Sequence, residues 1–135
     1  MWLQRQITST EKSCGFHLIT DEVLSSFLEL KKIKTGLTHF FLQHLSASLS
    51  LNENADASVR RDFESHSNVL VPESASYYEH IYKGVGDIPA HIKSSFLGSS
   101  LSVPIHNGKL VLVAWQESVL REHRDAAGPR DAVAA

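Results

Sequence analysis

The sequence predicts an α+β fold, in which helices pack on one face of a mixed or antiparallel sheet. Strand-like segments outnumber helical ones, and several follow one another with only turn residues between them, which favours hairpins. Helical periodicity is confined to three segments, each with its own start and stop signals. The 135 residues, 42% hydrophobic and 21% charged, predict a single domain, 1–135, of ordinary globular composition.

The first part of the chain predicts two short strands followed by a helix. Residues 2–10 and 16–19 have strand-like composition, with a turn at Cys14-Gly15 between them. Thr20 can cap a helix whose first turn holds two acidic residues. Apolar residues then recur at helical spacing until Gly36, which is expected to end the helix.

The stretch from His39 to Asn54 has the most unusual pattern in the chain. Its first four residues, 39–42, are large and mostly apolar, as in a strand buried on both faces. After His44, apolar residues and serines alternate, which is typical of a half-buried strand. The alternating residues are Ala47, Leu49 and Leu51 against Ser46, Ser48 and Ser50, and three polar residues, Asn52, Glu53 and Asn54, end the strand. Buried polar groups need partners, so these side chains either satisfy one another or face a ligand.

Two further helices flank a long polar loop. One helix is predicted to begin at Asp56 and to end before Pro72, because a residue that precedes proline avoids helical geometry. Residues 73–86 contain three tyrosines and two glycines without any period, and loops of this length are usually functional or mobile. Asp87 is predicted to cap a third helix that Gly98 closes.

The remaining strands are predicted around one hairpin. Residues 101–105 and 110–115 are apolar runs, and the Asn107-Gly108 pair between them is a strong hairpin signal. In that register Pro104 faces Val111 and cannot donate a ladder hydrogen bond, so a bulge or a longer loop is expected. Residues 118–124 predict one more strand, and residues 130–135 give only a weak signal.

Charge and cysteine content restrict the function classes. A net charge of −2 offers no basic surface for nucleic acid, and none is expected as a partner. A single cysteine, Cys14, excludes an intramolecular disulfide and indicates a reducing compartment. No window approaches the roughly 20 apolar residues of a membrane helix, and the first residues lack a signal-peptide core. We therefore expect a cytoplasmic protein without a membrane partner.

Eight histidines make metal binding the first hypothesis for a site. His44 follows a predicted buried strand, His80 lies in the tyrosine-rich loop, and His91 borders the apolar face of the third helix. Three imidazoles with an open position would form a catalytic type of zinc site. Their spacing is not diagnostic, since histidines that only pack in the core or lie on the surface are more common.

Two alternatives remain open from the residues alone. Ser46 or Ser48 beside His44, with Glu53 or Asp87 as the orienting acid, would form a nucleophile–base–acid set. No Gly-x-Ser-x-Gly elbow accompanies them, and serines on the polar face of a strand are the simpler interpretation. The free N–H groups at the start of the third helix, followed by Lys93, could bind an anion. A surface lysine explains Lys93 equally well.

Several motifs resemble the YjbQ family, also called the secondary thiamine-phosphate synthase family. The longest runs from His44 to Asn54, His-Leu-Ser-Ala-Ser-Leu-Ser-Leu-Asn-Glu-Asn. Residues 86–98 supply a second, Gly-Asp-Ile-Pro-Ala-His-Ile-Lys-Ser-Ser-Phe-Leu-Gly. Shorter matches are Val71-Pro72, Tyr78-Glu79-His80 and Trp115-Gln116, in the family's order.

The resemblance implies an α+β sandwich, a homotrimer and a divalent metal, with zinc expected, at His44, His80 and His91. It implies a weak thiamine-phosphate synthase activity that joins a pyrimidine pyrophosphate to a thiazole phosphate; a non-catalytic trimer that binds a metal or a small phosphorylated ligand is the alternative. Cations would neutralise the departing pyrophosphate. The expected catalytic residues are Glu53, Lys93 and Asp87, and the expected substrate-binding residues are Ser46, Ser48, Asn52, Asn54, Trp115 and Gln116.

The sequence departs from the family pattern in three places. Leu45 stands where the family has threonine, which removes a hydroxyl beside His44. Ala114 and Glu117 flank Trp115-Gln116 where the family tends to have threonine and glycine. Residues 131–135 lack a basic final strand. These differences are expected to leave the fold and the metal site in place and to lower catalytic competence.

Overall fold

The computed structural model describes residues 2–114, 116–124 and 128–135. Two antiparallel sheets lie at its centre, and helices pack on the smaller one. In chain order the elements are β1 (Arg5–Thr8), β2 (Gly15–Leu18), α1 (Thr20–Ser26), a 3-10 helix (Leu28–Lys32), β3 (Thr35–Leu42), β4 (Ala47–Glu53), α2 (Ala57–Leu70), α3 (Asp87–Leu97), β5 (Ser100–His106), β6 (Lys109–Leu110), β7 (Gln116–Glu122) and β8 (Asp131–Ala134). The larger sheet has the order β1-β8-β3-β5-β6 and the smaller one β2-β7-β4. The α+β prediction is confirmed, with two sheets where the sequence predicted one.

Apolar side chains from both sheets form one core. In β4, Ala47 and Leu49 face this core as the alternation predicted. The strand is not half-buried as expected, because Ser48 on the other face is also buried and hydrogen-bonds to a histidine of the polar layer described next. Complete burial of a large aliphatic or aromatic side chain contributes roughly 1.5–3 kcal/mol. The core residues are Ile7, Ile19, Val23, Phe27, Leu30, Phe40, Leu42, Ala47, Leu49, Val103, Ile105, Leu120 and Ala134.

The layer between the smaller sheet and the helices is polar. Helix α2 packs on β2 and α3 packs on β4. Ser48, Arg121 and His123 are almost completely buried in this part of the molecule, while α2 contributes no buried residue. The helices therefore cover charged and hydroxyl groups. Such buried polar groups could form a binding site.

The predicted helix from Thr20 to Gly36 is two shorter helices. Phe27 and Leu30 are 2% and 0% exposed, and their spacing of three residues suits the 3-10 helix that follows α1. Thr20 does not cap α1, because its Oγ1 accepts a hydrogen bond of 2.8 Å from the backbone N–H of Ser118. Gly36 lies inside β3.

The Asn107-Gly108 hairpin is present with both turn residues at positive φ, 49° and 74°. The expected bulge or longer loop is absent from this described hairpin, since Ile105 pairs with Leu110 and His106 with Lys109. The regular ladder ends one pair before Pro104, whose carbonyl accepts from the N–H of Val111 at 2.9 Å. Only this half of the Pro104–Val111 pair forms, because proline has no N–H to donate, and the strand predicted over 110–115 shortens to β6.

The weakly predicted tail forms an interior strand. β8 pairs antiparallel with β1 on one side and with β3 on the other. Ala135 extends the pairing to His39, with hydrogen bonds of 2.8 and 2.9 Å in both directions. Strand β8 therefore joins β1 to the rest of the larger sheet.

In the part of the chain that the structure describes, none of the helices combines the length and the apolar character needed to cross a membrane.

Candidate functional site

Two histidines and an aspartate meet at the start of α3. Asp87 is the first residue of this helix, His91 follows one turn later, and His80 comes from the preceding loop. The Nε2 atom of His80 lies 2.8 Å from Asp87 Oδ2, and the Nε2 atom of His91 lies 3.3 Å from the same oxygen. The three potential ligand atoms all lie within 4.8 Å of one another. The positions i and i+4 of a helix share one face, which explains why Asp87 and His91 meet.

Asp87 is the electrostatic centre of this cluster. It is only 5% exposed, and its second carboxylate oxygen, Oδ1, accepts from the guanidinium of Arg124. Burial alone would raise the pKa of Asp87, but the hydrogen bond with His80 and the charge of Arg124 lower that pKa below its usual value. The carboxylate is therefore ionised at neutral pH.

The donor set of the cluster fits a divalent metal ion. Two imidazole nitrogens and one carboxylate oxygen are the three protein ligands of one common type of catalytic zinc site. Bonds of about 2.0–2.1 Å in a tetrahedron place ligand atoms roughly 3.3 Å apart. The separation of His91 Nε2 from Asp87 Oδ2, 3.3 Å, matches this, and that of His80 Nε2, 2.8 Å, is a hydrogen-bond distance. Arg124 would orient the carboxylate through its other oxygen.

A polar cleft of about 220 Å³ adjoins the cluster and shares Asp87 with it. Its described lining contains three basic side chains, two carboxylates and the only cysteine. The residues are Cys14, Glu73, Lys83, Gly86, Asp87, Pro89, Lys93, His123 and Arg124. Asp87 already contacts Arg124 and two imidazoles, so the cleft is suited to an anion.

Lys93 is buried at this cleft, with 7% exposure. Its Nζ donates a hydrogen bond of 2.6 Å to Asn68 Oδ1 on α2. Burial lowers the pKa of Lys93, and the charge of Arg121 lowers it further, against opposing contributions from Glu64, Cys14 and Glu73. Lys93 lies in the middle of α3 and lines the cleft, and its binding of an anion stays a prediction.

His44, the third expected metal ligand, lies elsewhere in the single chain. Its Nε2 accepts a 2.8 Å hydrogen bond from the N–H of Asp131, and its Nδ1 lies 3.2 Å from the guanidinium of Arg130. Burial, followed by the charge of Arg130, lowers the pKa of His44. Among the described residues, the cluster of potential ligands contains Asp87 in its place. Within the single chain, His44 is thus apart from His80 and His91, and Asp87 is the third potential ligand beside them.

The two candidate serines have different surroundings. Ser46 Oγ accepts from Arg130 at 2.9 Å, whereas Ser48 Oγ lies 2.9 Å from Nε2 of His123. The predicted set of Ser46 or Ser48 with His44 is therefore not formed in one chain. The sequence interpretation missed His123, although the period of two in residues 118–124 places it on the same strand face as Arg121.

The polar residues at the end of β4 lie away from the cluster. At about 3.3 Å per strand residue, Glu53 is roughly 17 Å along the strand from Ser48. Asn52 accepts from the N–H of Glu53, and Asn54 donates to Glu117 at 3.2 Å. Gln116 lies opposite Glu53 in β7. The expectation that Asn52, Glu53, Asn54 and Gln116 line the pocket of the histidines is thus not met within one chain, and Trp115 lies outside the described residues.

Arg121 is a functional candidate that the sequence did not indicate. It is 1% exposed and forms an ion pair of 2.6 Å with Glu64 on α2. Its guanidinium carbon lies 5.1 Å from the centre of the Phe16 ring, and its NH1 group lies 3.4 Å from Cys14 Sγ. Arg121 therefore supplies a positive charge that lowers the pKa of Lys93 and of His123.

Leu45, one of the three departures from the family pattern, is a surface residue. Its side chain is 75% exposed, in the turn between β3 and β4. The hydroxyl that a threonine would add there faces solvent in the single chain. Leu45 consequently gives no structural reason for an impaired cluster.

The chain matches one protein family along nearly its whole length. A family model described as UPF0047 protein YjbQ-like matches residues 5–134. The chain belongs to the YjbQ family. It is 52% identical to the UPF0047 protein YjbQ of Salmonella typhimurium, over 99% of this chain and 96% of that protein. The corresponding protein of Escherichia coli O157:H7 is 47% identical over the same shares.

Solved structures of the YjbQ family have the same fold. A Clostridium acetobutylicum protein superimposes with a TM-score of 0.84 at 29% identity, covering 97% of this chain and 98% of that one. A Sulfolobus solfataricus protein gives a TM-score of 0.83 at 26% identity, covering 98% and 94%. These two are described as an uncharacterized protein and a protein of unknown function, so activity has to be argued from the site.

Proposed function

We propose that this YjbQ-family chain holds a divalent metal at His80, Asp87 and His91 and binds a small phosphorylated molecule beside it. The meeting of these three side chains within 4.8 Å is the observation that supports the metal. Zinc suits two imidazoles and a carboxylate best. The basic side chains of the adjoining cleft support the phosphorylated ligand.

Elemental analysis tests the metal. Protein purified without chelators or affinity resin should contain about one divalent ion per chain, and both His80→Ala and His91→Ala should lose most of it. His44→Ala and His106→Ala are the matched controls, because His44 binds Asp131 and Arg130 and His106 is exposed on the hairpin. Equal metal content in all four variants would reject the proposed site.

We further propose a transferase of the thiamine-phosphate synthase type, on the strength of the family motifs. When bound, a metal supplies Lewis-acid stabilisation of phosphate charge. The ammonium of Lys93 adds positive charge where a departing pyrophosphate becomes more negative, and Asn68 holds that ammonium in place. Lys93→Ala should therefore lower turnover more than affinity, by roughly a hundredfold. Glu53→Gln should leave turnover nearly unchanged, since Glu53 is far along β4.

A non-catalytic binding protein is the second candidate. The observation in its favour is that Asn52, Glu53 and Asn54, the most polar part of the family motif, lie away from the cleft. Product formation from the pyrimidine pyrophosphate and the thiazole phosphate, with metal-loaded protein, separates the two candidates. Turnover that His91→Ala abolishes would support the enzyme; binding of either phosphate without product would support the binding protein.

A homotrimer in a cytoplasmic setting completes the proposal. The resemblance motivates the trimer, and exposed apolar side chains such as Leu37, Phe41 and Val113 offer surface for it. Sedimentation equilibrium at micromolar concentration should give three times 15.0 kDa, and the monomer mass would reject it. The single cysteine motivates the reducing compartment.

A further inference from the structure

His123 is a buried residue with one unused hydrogen-bonding atom. It is 5% exposed, and its Nε2 lies 2.9 Å from Ser48 Oγ. Its Nδ1 has no hydrogen-bond partner among the described residues. Because His123 lines the cleft and Nε2 is already engaged, Nδ1 is the nitrogen left for a ligand there.

Two more donors with spare capacity line the same cleft. The Nε atom of Arg124 is buried and has no partner among the residues described, while the NH2 group of the same side chain binds Asp87. Lys93 has three N–H donors, and Asn68 is the acceptor seen for one of them. Buried polar atoms without partners are rare in folded proteins, so their meeting at one cleft indicates a missing acceptor.

The protonation state of His123 decides what Nδ1 offers. Burial lowers the pKa of His123 to about 3, aided by the charges of Arg121, Lys93 and Arg130, so the ring is neutral. When the Ser48 hydroxyl donates to Nε2, the single ring proton sits on Nδ1, which then becomes a hydrogen-bond donor. Ser48 thereby fixes the tautomer.

We infer that Lys93, His123 and Arg124 bind a phosphoryl group in this cleft, with Ser48 as the positioning residue for the His123 ring. The inference rests on the proposed function only for the ligand class. Glu73 and Asp87 also line the cleft, but Asp87 is paired with the guanidinium of Arg124. The volume of about 220 Å³ is below the roughly 300–1,000 Å³ typical of drug-sized ligands, so the site takes a phosphate or pyrophosphate end and not a whole nucleotide.

Calorimetric titration of inorganic phosphate and of pyrophosphate into metal-free protein tests the inference. The parent should bind at least one of the two probes. Lys93→Gln and His123→Leu should each weaken binding roughly ten- to a hundredfold, because each removes a donor to a charged acceptor. Lys109→Gln is the matched control, since Lys109 is exposed on the hairpin, and it should bind like the parent.

Conservative variants show whether Ser48 and His123 act on the bound phosphoryl group or only stabilise the fold. In His123→Asn the amide N–H reaches about the place of Nδ1–H, so this variant should keep most of the affinity that His123→Leu loses. Ser48→Ala should weaken binding several-fold, whereas Ser50→Ala on the same strand face should not. Should His123→Leu fail to fold, Lys93→Gln and Ser48→Ala decide the question.

The two proposals fail in distinguishable ways. Pyrophosphate bound by metal-free parent and by His91→Ala would support the phosphoryl site even if metal analysis rejects the metal centre. No binding of either probe would overturn the inference, and so would equal affinities of the parent, Lys93→Gln and His123→Leu. The metal site would stand in either case.

Discussion

Replacing Arg130 by methionine should be among the most destabilising changes in the chain. Arg130 precedes β8 and donates to both carboxylate oxygens of Glu122 at the end of β7. It also donates to the carbonyl and the hydroxyl of Ser46, at 3.2 and 2.9 Å. The Glu122 and Arg130 side chains are 0% and 7% exposed. This network ties the larger sheet to the smaller one.

The expected loss of unfolding free energy in Arg130→Met follows from the Glu122 carboxylate, which stays buried without its counterion. Removing one partner of a buried ion pair costs about 3–5 kcal/mol, because the other charge stays buried without its counterion. A chain of 135 residues has a total stability of roughly 7–20 kcal/mol by the usual range per residue. With a urea dependence of about 2 kcal/mol per molar, the unfolding midpoint should fall by about 2 M. The double variant Glu122→Leu/Arg130→Met should recover most of the loss, since no buried charge then remains.

Equilibrium urea unfolding, followed by far-ultraviolet circular dichroism at one protein concentration, measures these values. The double-mutant cycle isolates the coupling between Glu122 and Arg130. Arg5→Met is the matched control, because Arg5 pairs with Glu29 on the surface and should matter little. A midpoint shift of Arg130→Met no larger than that of Arg5→Met would refute the reasoning, as would a double variant less stable than either single one.

Three further predictions concern acid, a turn and the surface leucine. The native pKa of His123, about 3, lies below the unfolded value of about 6.5, so its stabilisation is complete above pH 6.5 and is lost as the pH falls toward 3. Between these pH values the free energy of unfolding falls by about 1.4 kcal/mol per pH unit. From pH 7 to pH 5 the parent should therefore lose about 2 kcal/mol through His123, and His123→Asn should lack this contribution. Gly108→Ala should lower the thermal midpoint more than Gly84→Ala. Both have positive φ, but a Cβ at 108 would lie 2.3 Å from the Lys31 carbonyl and one at 84 meets nothing within 4 Å. Leu45→Thr should keep the parent's metal content and turnover; a gain in either would show that the exposed side chain reaches the site in the assembled protein.

The parts of the fold that local chemistry determines were predictable. The Asn107-Gly108 turn and the inward facing of Ala47 and Leu49 in β4 need only their own residues, and both are present as predicted. Strand β8 was not predictable, because small residues such as Ala132 and Ala134 have little strand preference of their own. They form a strand because they pair with β1 on one side and with β3 on the other. The role of Thr20 likewise depends on Ser118, which is distant in sequence.

The site was predictable where one helix carries it. Helical spacing and the family motif indicated His91, Lys93 and Asp87; His91 lies beside Asp87 at the start of α3, and Lys93, in the middle of the helix, lines the adjoining cleft with Asp87. His44 was assigned to the wrong neighbours, since its actual partners are brought to it by the last strand. His123 was missed because its burial depends on how the helices cover β7.

The interior place of β8 has a consequence for synthesis on the ribosome. Strand β1 is made first, yet its partner in the larger sheet, β8, comes from the opposite end of the sequence, with Arg5 opposite Ala134. During translation β1 has to wait, exposed, until residues 131–134 have left the exit tunnel. Contacts so distant in sequence slow folding and prolong the exposure of unpaired edges. A nascent chain stalled before residue 131 should therefore hold β1 open to proteases and chaperones, and emergence of residues 131–134 should let β1 join the sheet.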